Sequence, residues 1–94
     1  MKILAIEKEK IGINQSDYAP YLKEEVQHVI GLIEQDIIRE IYFDENKNAI
    51  IVLECQDKKE AKKVLSGLPL VKAGLITFEL SELNPYTGFS RLIT

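Results

Sequence analysis

A short run in the second half of the chain constrains the fold more than any other feature. The run is Leu65-Ser66-Gly67-Leu68-Pro69-Leu70, and it separates an amphipathic helix from an apolar strand at 75–80. Gly67 can adopt the left-handed conformation that ends helices, and Pro69 cannot continue a helix because it lacks a backbone N–H. The chain therefore passes from a helix directly towards its last strand.

The composition is that of one soluble globular domain over residues 1–94. With 46% hydrophobic and 29% charged residues, the chain differs from disordered sequences. A chain of this length buries only about three fifths of its unfolded surface, which favours an oligomer that covers a further apolar face. The net charge of −3 and the lack of a basic run with interleaved aromatic residues argue against nucleic acid as a partner.

The single cysteine, Cys55, excludes an intrachain disulfide and a cysteine-based metal site within one chain. The apolar run at 3–6 is too short for a signal peptide, and no stretch approaches the roughly 20 apolar residues that span a membrane. No glycine-rich phosphate loop and no metal-ligand spacing are present. We therefore expect a cytoplasmic protein with no cofactor, no metal and no membrane partner.

The hydrophobic periodicity predicts four strands and two helices. The strands are expected at 2–7, 37–43, 49–55 and within 73–83; one helix starts at Ser16-Asp17 and runs to about Gln35, and the other is capped by Asp57. The order β-α-β-β-α-β predicts an α+β, ferredoxin-like fold, with two helices on one face of a four-stranded antiparallel sheet. In the first helix the spacing predicts a buried stripe made of Leu22, Val26, Val29, Ile30 and Ile33.

The face of the sheet without helices is the expected place for a functional site. Because strands alternate sides, we assign Ile3, Ala5 and Glu7 of the first strand to this open face. For the third strand the alternatives are the set with Glu54 and the set with Cys55, and we prefer the former. Such a face is apolar enough to stack on a second copy, which predicts a barrel-like homodimer with an interior cavity.

Glu7, Glu54 and Glu79 are the sharpest candidates for chemistry. If they converge in a dimer cavity, burial and mutual repulsion raise at least one pKa, and that carboxylate can move a proton on an organic acid. The alternative is that they lie at strand ends in solvent. Glu54 and Glu7 are therefore the predicted catalytic residues, and Glu79 is a predicted substrate-binding residue.

Three further side chains are candidates for substrate binding. The Arg39 guanidinium suits a substrate carboxylate, although an ion pair within the sheet is the alternative. Tyr18 and Tyr42 could line a pocket, or they could pack as ordinary aromatic residues. His28, the only histidine, falls on the side of its helix opposite the expected buried stripe, and the sequence assigns it no role.

The stretch from about residue 50 to 86 resembles the muconolactone isomerase family and related small dimeric α+β barrel proteins. The resemblance rests on the run at 64–70, the capped helix before it, and Phe78-Glu79-Leu80 followed by Asn84-Pro85. It implies ferredoxin-like protomers that pair through their sheets and sometimes form larger rings. The activity it implies is a cofactor-free shift of a double bond in a lactone by proton transfer.

Two functional hypotheses follow. In the first, a homodimer binds a small organic acid or lactone, Glu54 or Glu7 is the base, and Arg39 holds the acid. In the second, the protein is a non-catalytic ligand sensor or a structural subunit of an oligomer. In both, the tail at 84–94 is expected to pack on the partner or to close the mouth of the barrel, through Tyr86, Phe89, Leu92 and Ile93.

Overall fold

The computed structural model describes residues 1–93 and has the predicted order of strands and helices. The strands are β1 (Lys2–Glu9), β2 (Ile38–Phe43), β3 (Ala49–Glu54) and β4 (Ile76–Leu83), and the helices are α1 (Gln15–Tyr18), α2 (Leu22–Glu34), α3 (Lys58–Leu65) and α4 (Pro69–Lys72). The strands form one antiparallel sheet in the order β2-β3-β1-β4. The predicted ferredoxin-like α+β fold is confirmed.

The first helical segment starts earlier than predicted and is divided in two. Asn14, not Ser16 or Asp17, is the N-cap of α1, and its backbone N–H donates to the Asp17 carboxylate at 2.8 Å. Pro20 lies in a 3-10 turn (Ala19–Tyr21) between α1 and α2. Proline is tolerated there because the first residues of a helix have no intrahelical partner for their N–H groups.

The predicted buried stripe of α2 is largely wrong. Val29 is half-buried and Leu32 is buried against the sheet, whereas Leu22, Val26, Ile30 and Ile33 remain between 44% and 57% exposed. At 3.6 residues per turn the two sets point about 90° apart. Because α2 lies next to β2 while α3 and α4 lie next to β4, the exposed set is on the side of α2 towards the β2 edge.

The run at 65–70 ends one helix and starts another, but not through a left-handed glycine. The left-handed glycines are Gly12 and Gly74, and Ser66, the C-cap of α3, has right-handed helical angles. Pro69 is the first residue of α4. A Cβ added at Gly67 would lie 3.4 Å from Nε2 of His28. The absence of a side chain at Gly67 therefore leaves room for the histidine ring.

The two faces of the sheet follow from the strand register. Ile3 and Ala5 are fully buried and pair with Leu53 and Ile51 of β3, so these four face the helices. The assignment of Ile3, Ala5 and Glu7 to the open face is therefore wrong by one residue. The open face holds the other set, with half-buried apolar side chains at its centre: Leu4, Ile6, Ile50 and Val52.

The third and fourth strands are oriented as predicted. Cys55 is buried on the helix side, which leaves Glu54 on the open face. Ile76 is buried on the helix side of β4, and Glu79 pairs with Ile6 on the open face.

The C-terminal segment (84–93) extends away from the domain. Tyr86, Phe89, Leu92 and Ile93 are 68% to 87% exposed, although a 3-10 helix (Gly88–Leu92) orders the segment. The radius of gyration is 15.4 Å, against about 12 Å for a compact domain of this length. The last residue of the predicted tail, Thr94, lies outside the described residues. Within residues 1–93, no helix is both long and apolar enough to cross a membrane.

Candidate functional site

Glu7 is the one charged side chain of the described core, and it lies at the end of β1 on the helix side. Only 7% of its surface is exposed. One carboxylate oxygen, Oε1, accepts a hydrogen bond from the backbone N–H of Ala49 at 3.0 Å. Burial raises the pKa of Glu7, and the hydrogen bond from Ala49 opposes that effect. The pKa of Glu7 is therefore closer to neutral pH than the pKa of an ordinary carboxyl group.

A second carboxylate and a phenol lie near Glu7. Glu25 is on the sheet-facing side of α2, and its Oε1 accepts from the backbone N–H of Leu70 at 3.0 Å. Burial raises the pKa of Glu25, and the negative charge of Glu25 contributes to the raised pKa of Glu7. Tyr18, in α1, also has a raised pKa, first through burial and then through the charges of Glu9 and Glu7. We name Glu7, Tyr18 and Glu25 the acidic cluster.

Glu25 is not among the site residues predicted from the sequence. The sequence nevertheless contains a signal for it, because Glu25, Val29 and Leu32 follow the i, i+4, i+7 spacing of one helix face. A carboxylate on the same face as two core residues is a candidate for a perturbed pKa. The more continuous apolar stripe beside it concealed this pattern.

The other side of α2 faces α4 across a shallow groove of about 680 Å³. Its lining residues are Tyr21, Glu24, Gln27, His28, Gly67, Pro69, Lys72 and Ala73. His28 is exposed, and it lies at the junction of the two helices. Its charged form would lower the pKa of Glu25, so the groove and the acidic cluster interact electrostatically.

Glu54 is in a different environment from Glu7. Its carboxylate oxygen lies 2.6 Å from the nitrogen of the Met1 amino group. This hydrogen bond is the main cause of a lowered pKa, and the positive charges of the amino group, Arg39 and Lys2 act in the same direction. Glu54 is stabilised as an anion at the opposite end and on the opposite face of the sheet from Glu7.

The remaining predicted residues do not join the acidic cluster. Arg39 lies at an irregularity in β2, where its Nε donates to the backbone oxygen of Asp36 at 2.9 Å. Tyr42 donates its hydroxyl to Glu40 at 2.9 Å on the exposed part of the same strand. Glu79 forms an exposed ion pair with Lys8, with an N–O distance of 3.5 Å. Of the six predicted residues, only Glu7 and Tyr18 belong to the acidic cluster, and Arg39 lies instead near Glu54.

The described chain offers no obvious metal centre. Within residues 1–93, no three His, Cys, Asp or Glu side chains are grouped so that they could hold a metal ion. The acidic cluster consists of two carboxyl groups, each already accepting a backbone N–H, and one phenol. Such a set is suited to proton transfer.

Comparison with known proteins supports the fold. No protein-family model matches the chain, and none of the curated proteins matches it. Among solved structures, it is similar to 5-chloro-2-hydroxyhydroquinone dehydrochlorinase (TftG) from Burkholderia phenoliruptrix AC1100 in complex with 2,5-dihydroxybenzoquinone. The TM-score is 0.71 at 14% sequence identity, over 92% of this chain and 96% of that chain. At this identity the similarity establishes a shared fold.

Proposed function

We propose that this protein binds a small organic acid, lactone or hydroxylated ring compound and catalyses a cofactor-free proton transfer on it, with Glu7 as the base. The observation that carries the proposal is a buried carboxyl group with a raised pKa, on the helix side of a ferredoxin-like sheet, whose charge also raises the pKa of a nearby phenol. The similarity to TftG supports small-molecule chemistry on this fold. The resemblance of residues 50–86 to the muconolactone isomerase family supports an isomerisation in particular.

The proposed step needs no oxidant or reductant. Glu7 removes a proton from a carbon next to a carbonyl group, the C–H bond breaks, and its electron pair moves onto the carbonyl oxygen as an enolate. Tyr18, which its raised pKa keeps protonated, donates a hydrogen bond to that oxygen. Glu7 then returns the proton to a different carbon, which shifts the double bond.

The proposal favours Glu7 over Glu54 as the base. A lowered pKa makes the Glu54 carboxylate a weaker base than usual, and its ion pair would have to break before it could accept a proton. Arg39 lies near Glu54 and far along the sheet from Glu7, because Ile38 and Glu7 are at opposite ends of the strand register. Arg39, Tyr42 and Glu79 stay as proposals for contacts with a ligand on the open face.

We also propose that the protein is a homodimer formed through the open face of the sheet. The half-buried apolar residues at the centre of that face support this arrangement. The accessible surface is 6908 Å², whereas a compact monomer of 10.7 kDa exposes about 5,500 Å². The excess of about 1,400 Å² includes the exposed C-terminal segment, and it is more than the roughly 800 Å² that one partner contributes to a standard interface. The same surface supports the alternative function, a structural subunit of an oligomer.

Deuterium incorporation tests the proposed chemistry directly. Muconolactone and 2,5-dihydroxybenzoquinone are incubated with the protein in D2O, and NMR follows loss of the C–H signals. Wild type should accelerate exchange in at least one probe, and Glu7→Gln should reduce the rate by at least 100-fold, in line with the usual contribution of general base catalysis of about 10²–10⁴-fold. Native mass spectrometry of the freshly purified protein identifies any ligand that is already bound.

One matched variant separates the alternatives. Glu54→Gln removes a carboxylate from the open face, outside the acidic cluster, and should retain the exchange rate of wild type. If Glu54→Gln abolishes exchange and Glu7→Gln does not, the base has been assigned to the wrong face. If wild type accelerates exchange in neither probe and carries no ligand, the structural-subunit hypothesis is favoured.

A further inference from the structure

An apolar surface lies along the β2 edge of the protomer. It consists of the exposed α2 side chains Leu22, Val26, Ile30 and Ile33 and the helix-facing side chains of Ile41 and Phe43 in β2, of which Phe43 is 77% exposed. We name this surface the α2–β2 flank. Exposed apolar patches of this kind mark interaction sites in soluble proteins. Strand β2, which forms part of this flank, is also an edge strand, and one side of its backbone has no neighbouring strand within the sheet.

The C-terminal segment is the second unpartnered apolar element of the same chain. It carries four exposed large side chains within eight residues, and it leaves the domain from the end of β4. Strand β4 is the edge opposite β2, about 14 Å away across three strand spacings. The segment therefore starts on the far side of the sheet from its own α2–β2 flank.

A two-fold axis removes this separation. When two such sheets stack through their open faces about an axis parallel to the strands, the β4 edge of one protomer comes to lie beside the β2 edge of the other. β4 and β2 run in opposite directions within the sheet, so the facing edges are antiparallel. Leu83, Lys2 and Ile38 lie at the same end of the sheet. The end of β4 in one protomer therefore comes next to the start of β2 in the other protomer, and the C-terminal half of that protomer's α2 lies at the same end.

We infer that the C-terminal segment of a second copy of this chain docks on the α2–β2 flank, and that the exchange is reciprocal. Each protomer has one apolar segment and one apolar surface, which is the condition for a closed, isologous dimer. Phe89, Leu92 and Ile93 cover Ile30 and Ile33 of the other copy. This inference is independent of the proposed proton transfer, but it rests on the proposed open-face homodimer, together with two exposed apolar surfaces and the strand order.

A mixed-label NMR experiment tests the docking between copies. One sample of the protein is isotope-labelled at isoleucine methyl groups, and the other, unlabelled, carries a nitroxide at position 90 through Ser90→Cys, an exposed position that leaves the apolar side chains of the segment in place. Cys55 is buried and burial raises the pKa of its thiol, so it is protected from the reagent. After the two samples are mixed and equilibrated, the nitroxide should broaden the methyl signals of Ile30 and Ile33, while Ile11 keeps its linewidth.

A pair of α2 variants provides the control. Ile30→Asp introduces a charge into the α2–β2 flank and should abolish the broadening at Ile33. Gln27→Asp changes the other side of α2, in the groove facing α4, and should leave the broadening unchanged. Both substitutions replace exposed residues, so both variants are expected to fold.

Three outcomes would overturn the inference. The first is no broadening in the mixed sample. The second is broadening confined to open-face residues such as Ile6 and Ile50. The third concerns a chain that carries both the nitroxide and the isotope label and is diluted with excess unlabelled protein. Broadening at Ile30 in this sample alone would mean that the segment docks on its own chain. A failed deuterium exchange with intact broadening would remove the proposed chemistry and leave the docking in place.

Discussion

Replacing Glu7 with glutamine should make the protein more stable at neutral pH and change how its stability depends on pH. The carboxyl group is 7% exposed, and its pKa lies above the ordinary value of 4.5 because burial disfavours the charged form. Glutamine has nearly the same shape, and its side-chain oxygen can accept the same hydrogen bond from Ala49. The substitution therefore removes the charge and retains the contact.

The sign follows from proton binding in the two states. Between pH 4.5 and the raised pKa, the folded protein keeps the proton on Glu7 and the unfolded chain has lost it. The stability that this proton contributes is fully present below pH 4.5 and is lost as the pH rises through the folded-state pKa. The slope of this loss is at most about 1.4 kcal/mol per pH unit, the limit for a difference of one bound proton. Glu7→Gln has no such loss, so its advantage over wild type grows with pH and then levels off.

Urea denaturation of both proteins at a series of pH values from 4 to 8 measures this difference. At pH 4 the two free energies of unfolding should agree within about 1 kcal/mol, because both side chains are neutral and hydrogen-bonded. Glu79→Gln is the matched control: its exposed ion pair with Lys8 should contribute at most about 1 kcal/mol, and the difference from wild type should vary little with pH. A constant difference between wild type and Glu7→Gln across the series would refute the buried, raised-pKa assignment.

Two further predictions concern the backbone, and both use the same denaturation assay. Gly74→Ala should lower the free energy of unfolding by about 1–2 kcal/mol, because Gly74 has φ of +77°. Gly31→Ala in α2 should raise it by about 0.5–1 kcal/mol, since the nearest atom to the added Cβ would be a flexible side-chain atom of Gln35 at 3.9 Å. Equal effects at the two glycines would contradict this reasoning. Asp57→Ala should cost about 1 kcal/mol, because the Asp57 carboxylate accepts the first-turn N–H of Glu60 at 2.8 Å, and the exposed Lys58→Ala should change stability by less than half as much.

Of the two carboxylates in the proposed site, the sequence predicts Glu7 and does not predict Glu25. Glu7 is expected as a carboxylate whose pKa burial perturbs, and it is buried, but between the sheet and the helices rather than in a cavity on the open face. Glu25 contributes to the raised pKa of Glu7. Both misplacements arise from one-residue choices of register, because neighbouring positions in a strand or helix point to different sides.

Helix α2 shows why its orientation could not be predicted. The sequence places apolar residues on two sides of the helix, at 22, 26, 30 and 33 and at 29 and 32. The longer stripe has the stronger periodicity, yet the shorter one, together with Glu25, faces the sheet. Single-chain periodicity identifies apolar surfaces without distinguishing the protein core from a surface that a second molecule covers.

The amino-acid sequence alone determined the order of the strands and main helices, the fold class and the hairpin turn between β2 and β3, because periodicity, turn residues and the Asp57 cap act within a few residues of each other along the chain. The tertiary structure decided which side of each element is buried, and therefore that Glu7 lies beside Tyr18 and Glu25 while Glu54 pairs with the amino group of Met1. Proton affinity depends on burial and on charges from distant parts of the chain, so it is a property of the packed layers. A local pattern of residues does not contain that information.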